Sequence, residues 1–124
     1  MRELTGITDS KNQEIYYTTE YGQIVLKLRY STITASWYMS VKWEDFELKE
    51  RLLQRSDNWL NQYRRILGWG IQVVGDGKLD LCQPNDFTEN GFKLYLLNSD
   101  EVYYITNITY RYNSDLVEEY FYGE

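Results

Sequence analysis

Histidine is absent from the 124 residues and cysteine occurs once, so the side chains that could do chemistry are carboxylates, cations and rings. Five cations, Lys49, Arg51, Arg55, Arg64 and Arg65, fall within 17 positions, interleaved with Trp59 and Tyr63. Cations beside rings could hold a phosphate backbone with bases stacked on the rings. They equally suit an acidic protein surface, since arginine and aromatic residues are enriched at interfaces. A solvated polar face is the third reading. The whole chain carries a formal charge of −6, which disfavours a polyanion except at a local patch. The expectation is therefore a protein interface, on a partner or on another copy, with no specific nucleic acid.

Carboxylate pairs occur at Asp76 with Asp80, Asp86 with Glu89, and Glu118 with Glu119. Glycosidase chemistry needs two carboxylates at a set separation across a cleft; each pair here reads as a solvated turn or tail. Without histidine the usual general base, the usual triad and most catalytic zinc sites are gone. Cys82 alone builds neither a zinc site nor an intrachain disulfide and reads as a partly buried small hydrophobe. The stretch DGKLD is too short for a calcium loop, and GWG and GDG lack the spacing of a phosphate-cradling loop. No enzyme, metal or cofactor is expected. Trp37, Trp43, Trp59 and Trp69 could form a sugar platform, but Trp37, Trp43 and Trp69 fall on the apolar phase of strands and read as core.

The elements that must carry these residues are mostly strands. Ile24, Leu26, Leu28 and Tyr30 alternate with Gln23, Lys27 and Arg29; Trp37, Met39, Val41 and Trp43 alternate with Tyr38, Ser40 and Lys42. Period two on both sides of a polar turn at 31–35 predicts a hairpin with one buried face. Glu44-Asp45 predicts the next tight turn, returning through Phe46 and Leu48. Residues 49–67 place Trp59, Tyr63, Ile66 and Leu67 at helical spacing, with Gly68 as a stop; a strand through Arg51 to Gln54 followed by a short helical turn is the alternative. Trp69, Ile71 and Val73 resume the strand pattern, Gly75-Asp76-Gly77 predicts a turn, and Leu79 with Leu81 predicts a return. Phe92, Leu94 and Leu96 form another strand, Asn98-Ser99-Asp100 another turn, and residues 102–112 one or two last strands. The fold class expected is mainly β: a small antiparallel barrel or sandwich of about 6–8 short strands with one short helical connection. Residues 1–14 read as a polar arm, 15–112 as a single β domain and 113–124 as an acidic aromatic tail.

Thirteen tyrosines, four tryptophans and four phenylalanines make 17% of the chain, a composition suited to strands and interfaces. No apolar run is long enough to cross a membrane and the first residues lack a signal core, so cytoplasmic folding is expected.

The order of features carries a resemblance. LKLRY (26–30), SWYMSV (36–41), Trp59-Leu60 with Tyr63, GKLDL (77–81), Asp86-Phe87 and FKLYL (92–96) succeed one another along the chain. This succession resembles the small plug proteins of contractile-tail bacteriophage baseplates, the cyanophage-type baseplate plug family, over residues 20–105. The resemblance implies a structural virion protein without catalytic residues, a plug or connector in the baseplate hub at the distal end of the tail tube. Its partners would be hub, spike and tube proteins and further copies in a homo-oligomeric ring. The connection 49–67 is longer and more basic than the family pattern, and the tail 106–124 lies beyond it. Both are therefore candidate contact segments, adding Tyr110, Tyr112, Tyr120 and Phe121 to the interface set. Two other function classes fit the composition: a small acidic inhibitor of a host nuclease, and a barrel-type ligand-binding module.

Overall fold

The computed structural model describes residues 1–75 and 81–107. Among them seven strands form two antiparallel sheets. β2 (Asn12–Thr19), β3 (Gly22–Ser31), β4 (Ser36–Trp43) and β5 (Phe46–Leu52) make a four-stranded meander; β1 (Arg2–Glu3), β7 (Lys93–Leu97) and β6 (Gly70–Val74) make the second sheet, with β7 central. The sheets are separate ladders, so the architecture is a small sandwich and not a closed barrel.

The alternation that predicts the hairpin sets the core. Ile24, Leu26 and Leu28 on β3 and Trp37, Met39 and Val41 on β4 point to one side; Ile71 and Val73 on β6 and Leu94 and Leu96 on β7 join them in one buried cluster. Two sheets that each bury one face are the stable solution for such strands. The β3–β4 turn leaves Ile33 in solvent, and Glu44-Asp45 closes β4 onto β5 with Trp43 opposite Phe46.

Two expectations are corrected. The first fourteen residues are not a free arm. Arg2 and Glu3 pair with Leu96 and Tyr95, Leu4 is buried, and the first ladder already starts at Asn12. Residues 102–107 are not a strand: positions 99–107 are helical (α2). Asn98 and Glu101 form a capping box, the Asn98 side chain accepting from the Glu101 N–H at 2.8 Å and the Glu101 carboxylate accepting from the Asn98 N–H at 3.1 Å. On one side β6 pairs with β7; the turn expected through Asp76-Gly77 and most of the return strand expected at 79–81 fall outside the described residues. Residues 76–80 and 108–124, and with them the tail, lie outside the described residues.

Tyr17 ties the first residues to the larger sheet. Its hydroxyl donates to the Thr5 carbonyl at 2.6 Å, and burial pushes its pKa up to about 12, opposed by the Arg2 cation. The unfolded chain's tyrosine titrates near 10. The folded state therefore holds this proton more tightly, and the stability linked to it is complete below about pH 10 and lost as pH rises toward 12. Tyr17→Phe should cost about 1 kcal/mol at neutral pH through the missing hydrogen bond. It should also flatten the fall in melting temperature between pH 9 and 12. An alkaline slope identical to that of the parent would show that Tyr17 is not held as described.

Candidate functional site

After β5 the chain crosses from the edge of one sheet to the edge of the other. Leu53 donates to the Trp37 carbonyl, Ser56 and Val73 exchange two backbone hydrogen bonds, and the Trp59 N–H donates to the Ile71 carbonyl at 2.7 Å. A 3₁₀ turn (Asn61–Tyr63) and α1 (Arg64–Leu67) then lead to Gly68, which ends the helix in the left-handed region (φ 69°). The crossing and the 3₁₀ turn wall an open groove of about 510 Å³ beside β5. Arg51, Arg55, Trp59 and Tyr63 line it together with Leu48 and Gln62, and among the described residues its charged lining is the two arginines.

A β-bulge puts Arg51 there. Val41 faces Leu48 and Met39 faces Arg51, so Ser40 stands opposite both Lys49 and Glu50. Glu50 takes φ 21°, and its N–H donates to the Ser40 hydroxyl at 2.9 Å. One inserted residue reverses the phase of the strand beyond it and re-aims the side chains there. Without it Arg51 would lie outward with Glu47 and Lys49. With it Arg51 swings to the groove and donates to the Tyr63 hydroxyl at 2.9 Å. Tyr63 is itself held edge-on by Phe46 at 5.3 Å, and the Trp59 indole N–H donates to the Leu52 carbonyl at 3.0 Å. Glu50 turns outward, where Arg29 grips it through two hydrogen bonds at 2.7 and 3.1 Å and holds its carboxyl below the usual range.

Of the expected interface residues, the structure thus brings Arg51, Arg55, Trp59 and Tyr63 together. Lys49 stands apart, 4.0 Å from Glu47. Arg64 donates to the Asn61 carbonyl and lines a different hollow with Gly68 and the α2 residues Val102, Tyr103 and Thr106. Arg65 is exposed on α1. Tyr110, Tyr112, Tyr120 and Phe121 lie outside the described residues. Phe46, which props Tyr63, and the bulge were not singled out in the sequence; the run Lys49-Glu50-Arg51 is polar in either phase, so alternation carries no signal there.

The other candidates resolve as scaffold. Trp37 and Trp69 are fully buried, and Trp43 and Trp59 are half-buried. Asp86 is buried and not a solvated turn: its carboxylate accepts from the Gln83 N–H and the Asn90 amide, both at 2.9 Å, and so closes the loop over Trp37. Cys82 is exposed, not part of the core. No group of three or more metal-ligating side chains occurs among the described residues, and no helix among them is long and apolar enough to cross a membrane. No family model matches the chain, and no curated protein matches it.

Proposed function

We propose that the chain is a non-catalytic structural subunit of a phage tail baseplate hub, a plug or connector at the distal end of the tail tube near the spike. On this reading it is assembled in the host cytoplasm and carried in the virion. One observation carries the interface part of the reading: the groove beside β5, in which a bulge, a ring-on-ring contact and a backbone crossing present two guanidinium groups and two half-buried rings to an incoming chain. A subunit repeated around an axis needs such a receptor, because heterologous contacts join one surface to a different one on the next copy. The groove also borders an edge strand, the usual place for an added extended segment. The succession of sequence motifs over residues 20–105, LKLRY through FKLYL, supports the baseplate assignment.

Imaging of purified tails bearing an antibody label against this chain tests it. Label at the tail tip is the expected result. Label absent from purified virions overturns the reading, and capture of a host nuclease as the main partner would then favour the inhibitor.

A further inference from the structure

Among the described residues the two sheets end in four edge strands, and three of these are short, bridged or broken. β1 is two residues long, β6 is bridged along its outer side by Ser56 and Trp59, and β5 is broken by the bulge at Glu50. β2, across the larger sheet from the groove, is an unbroken run of eight residues with neither bulge nor proline. Such an edge is a template for a further strand. We propose that β2 is a two-fold interface, pairing antiparallel with β2 of a second copy of this chain about an axis at Ile15. The inference is independent of the baseplate reading, and because its edge lies opposite the groove, one copy can use both.

The hydrogen-bond phase of β2 decides which groups face outward. Opposed residues of an antiparallel ladder alternate between hydrogen-bonded and non-hydrogen-bonded pairs. The Lys11 carbonyl accepts from the Tyr30 N–H at 2.8 Å. Gln13, Ile15, Tyr17 and Thr19 therefore turn their backbone groups toward β3, and Asn12, Glu14, Tyr16 and Thr18 turn theirs outward. The chain itself occupies both ends of that outer row: the Ser10 hydroxyl donates to the Asn12 carbonyl at 3.1 Å, and the Arg2 guanidinium to the Thr18 carbonyl at 3.0 Å. Glu14 and Tyr16 lie between them, both exposed, and no group among the described residues bonds their outward N–H and C=O.

One register uses both residues. With the axis at Ile15, Glu14 of each copy stands opposite Tyr16 of the other, and the two pairs exchange four backbone hydrogen bonds. The side chains agree. Within one chain the Tyr16 hydroxyl donates to the Glu14 carboxylate at 2.6 Å, and across the axis the same donor meets the same acceptor. Lys27, opposite Glu14 in its own sheet, offsets the charge brought to the axis. The neighbouring registers fail. An axis at Glu14 sets two carboxylates face to face, which opposes pairing, and calls on the Asn12 carbonyl that Ser10 holds. An axis at Tyr16 calls on the Thr18 carbonyl that Arg2 holds. Residues 13–17 on each side make a small contact, so the dimer belongs to the upper end of a concentration series.

Sedimentation velocity of the full-length chain across such a series should show a monomer–dimer equilibrium that stops at two copies. Raising salt from about 0.05 M to about 0.5 M should not weaken it, because backbone groups hold it and screening relieves the repulsion between two acidic chains. Tyr16→Pro removes one outward N–H from each copy without touching the ladder to β3, at an edge position that accepts proline. The dissociation constant should rise by more than about tenfold while the chain still melts cooperatively. Cross-linking fixes the axis. In a Cys82→Ser background, Ile15→Cys should form a disulfide-linked dimer under mild oxidation, since the two Cα atoms would face each other at about 4.5 Å. Tyr16→Cys, which meets Glu14 and not itself, should cross-link far more slowly. That comparison decides the matter if Tyr16→Pro does not fold. A parent that stays monomeric throughout overturns the proposal. So does a dimer that folded Tyr16→Pro leaves intact, since the copies then meet elsewhere, and so does a Tyr16→Cys chain that cross-links as fast as Ile15→Cys. Any of these leaves the baseplate reading intact, whereas label missing from virions removes the baseplate and leaves the dimer standing.

Discussion

Trp37→Ala should lower the unfolding free energy by about 3–5 kcal/mol, the cost of emptying a filled site in a close-packed core. The indole is 0% exposed. Tyr30 and Phe87 meet it edge-on at 5.4 and 5.3 Å, so two further rings lose a partner when it goes. Its N–H donates to the Gln83 carbonyl at 2.9 Å, and beside it the Tyr30 hydroxyl donates to the Cys82 carbonyl at 2.8 Å. Trp37 is therefore the floor on which the loop 81–90 rests, and the substitution should release amide exchange in that loop before the sheets open. Trp69 supplies the contrast. It is equally buried, stacked near Tyr21 at 6.5 Å and met edge-on by Trp43 at 5.9 Å, but its indole N–H makes no hydrogen bond. Trp69→Phe thus removes an unsatisfied donor along with some volume, whereas Trp37→Phe gives up a made hydrogen bond, leaving the Gln83 carbonyl with only the Asp86 N–H as donor, at a cost of about 1 kcal/mol. Denaturant melts should rank Trp37→Phe as the more damaging of the two. The opposite order, or a Trp37→Ala loss below about 1 kcal/mol, would mean that the loop is not seated on this ring.

How far the sequence anticipates these features depends on whether local pattern and tertiary packing agree. In β3 and β4 they do. Alternation of large apolar residues with Lys27, Arg29, Ser40 and Lys42 has only one register that buries a face, and that register dictates the hairpin, the core and the buried tryptophans together. β1 carries no such signal: two charged residues pair because Leu4 behind them is buried and β7 offers an edge. At α2 the tyrosines and β-branched residues of 102–107 favour a strand on propensity. The helix forms because Asn98 and Glu101 cap it, and Asn-x-x-Glu is legible as a helix start once a turn is no longer assumed there. The candidate interface is half legible. Composition places cations and rings together along the chain, but the bulge that sends Arg51 one way and Glu50 the other is a property of the paired strands. Nothing in Lys49-Glu50-Arg51 alone distinguishes the two faces. The same holds for the groove's far wall, which depends on a side chain that sequence reading passes over.

That side chain is Asn58, and Gly70→Ala is the substitution that exposes its role. Asn58 is buried, and its Oδ1 accepts from the Leu60 N–H at 3.1 Å and the Ile71 N–H at 3.2 Å, clipping the crossing segment to β6. Gly70 lies directly beneath: a Cβ there would come 2.4 Å from Oδ1 and 2.8 Å from Cγ. No retreat is open to a short amide already held by two donors in the core. Alanine must therefore push the clip away, leaving two buried N–H groups without an acceptor and loosening the wall that carries Trp59. The expected loss is about 2–4 kcal/mol, from stranded donors and the displaced backbone together. Asn58→Ala should cost a similar amount, because it removes the same acceptor. The double variant separates this account from simple intolerance of a side chain in β6: with the amide gone the Cβ has room, so Gly70→Ala with Asn58→Ala should cost no more than Asn58→Ala alone. A cycle in which the two losses instead add would show that they act independently. In that case the glycine answers to something other than the asparagine above it, and the groove wall is held by its backbone ladder to β6.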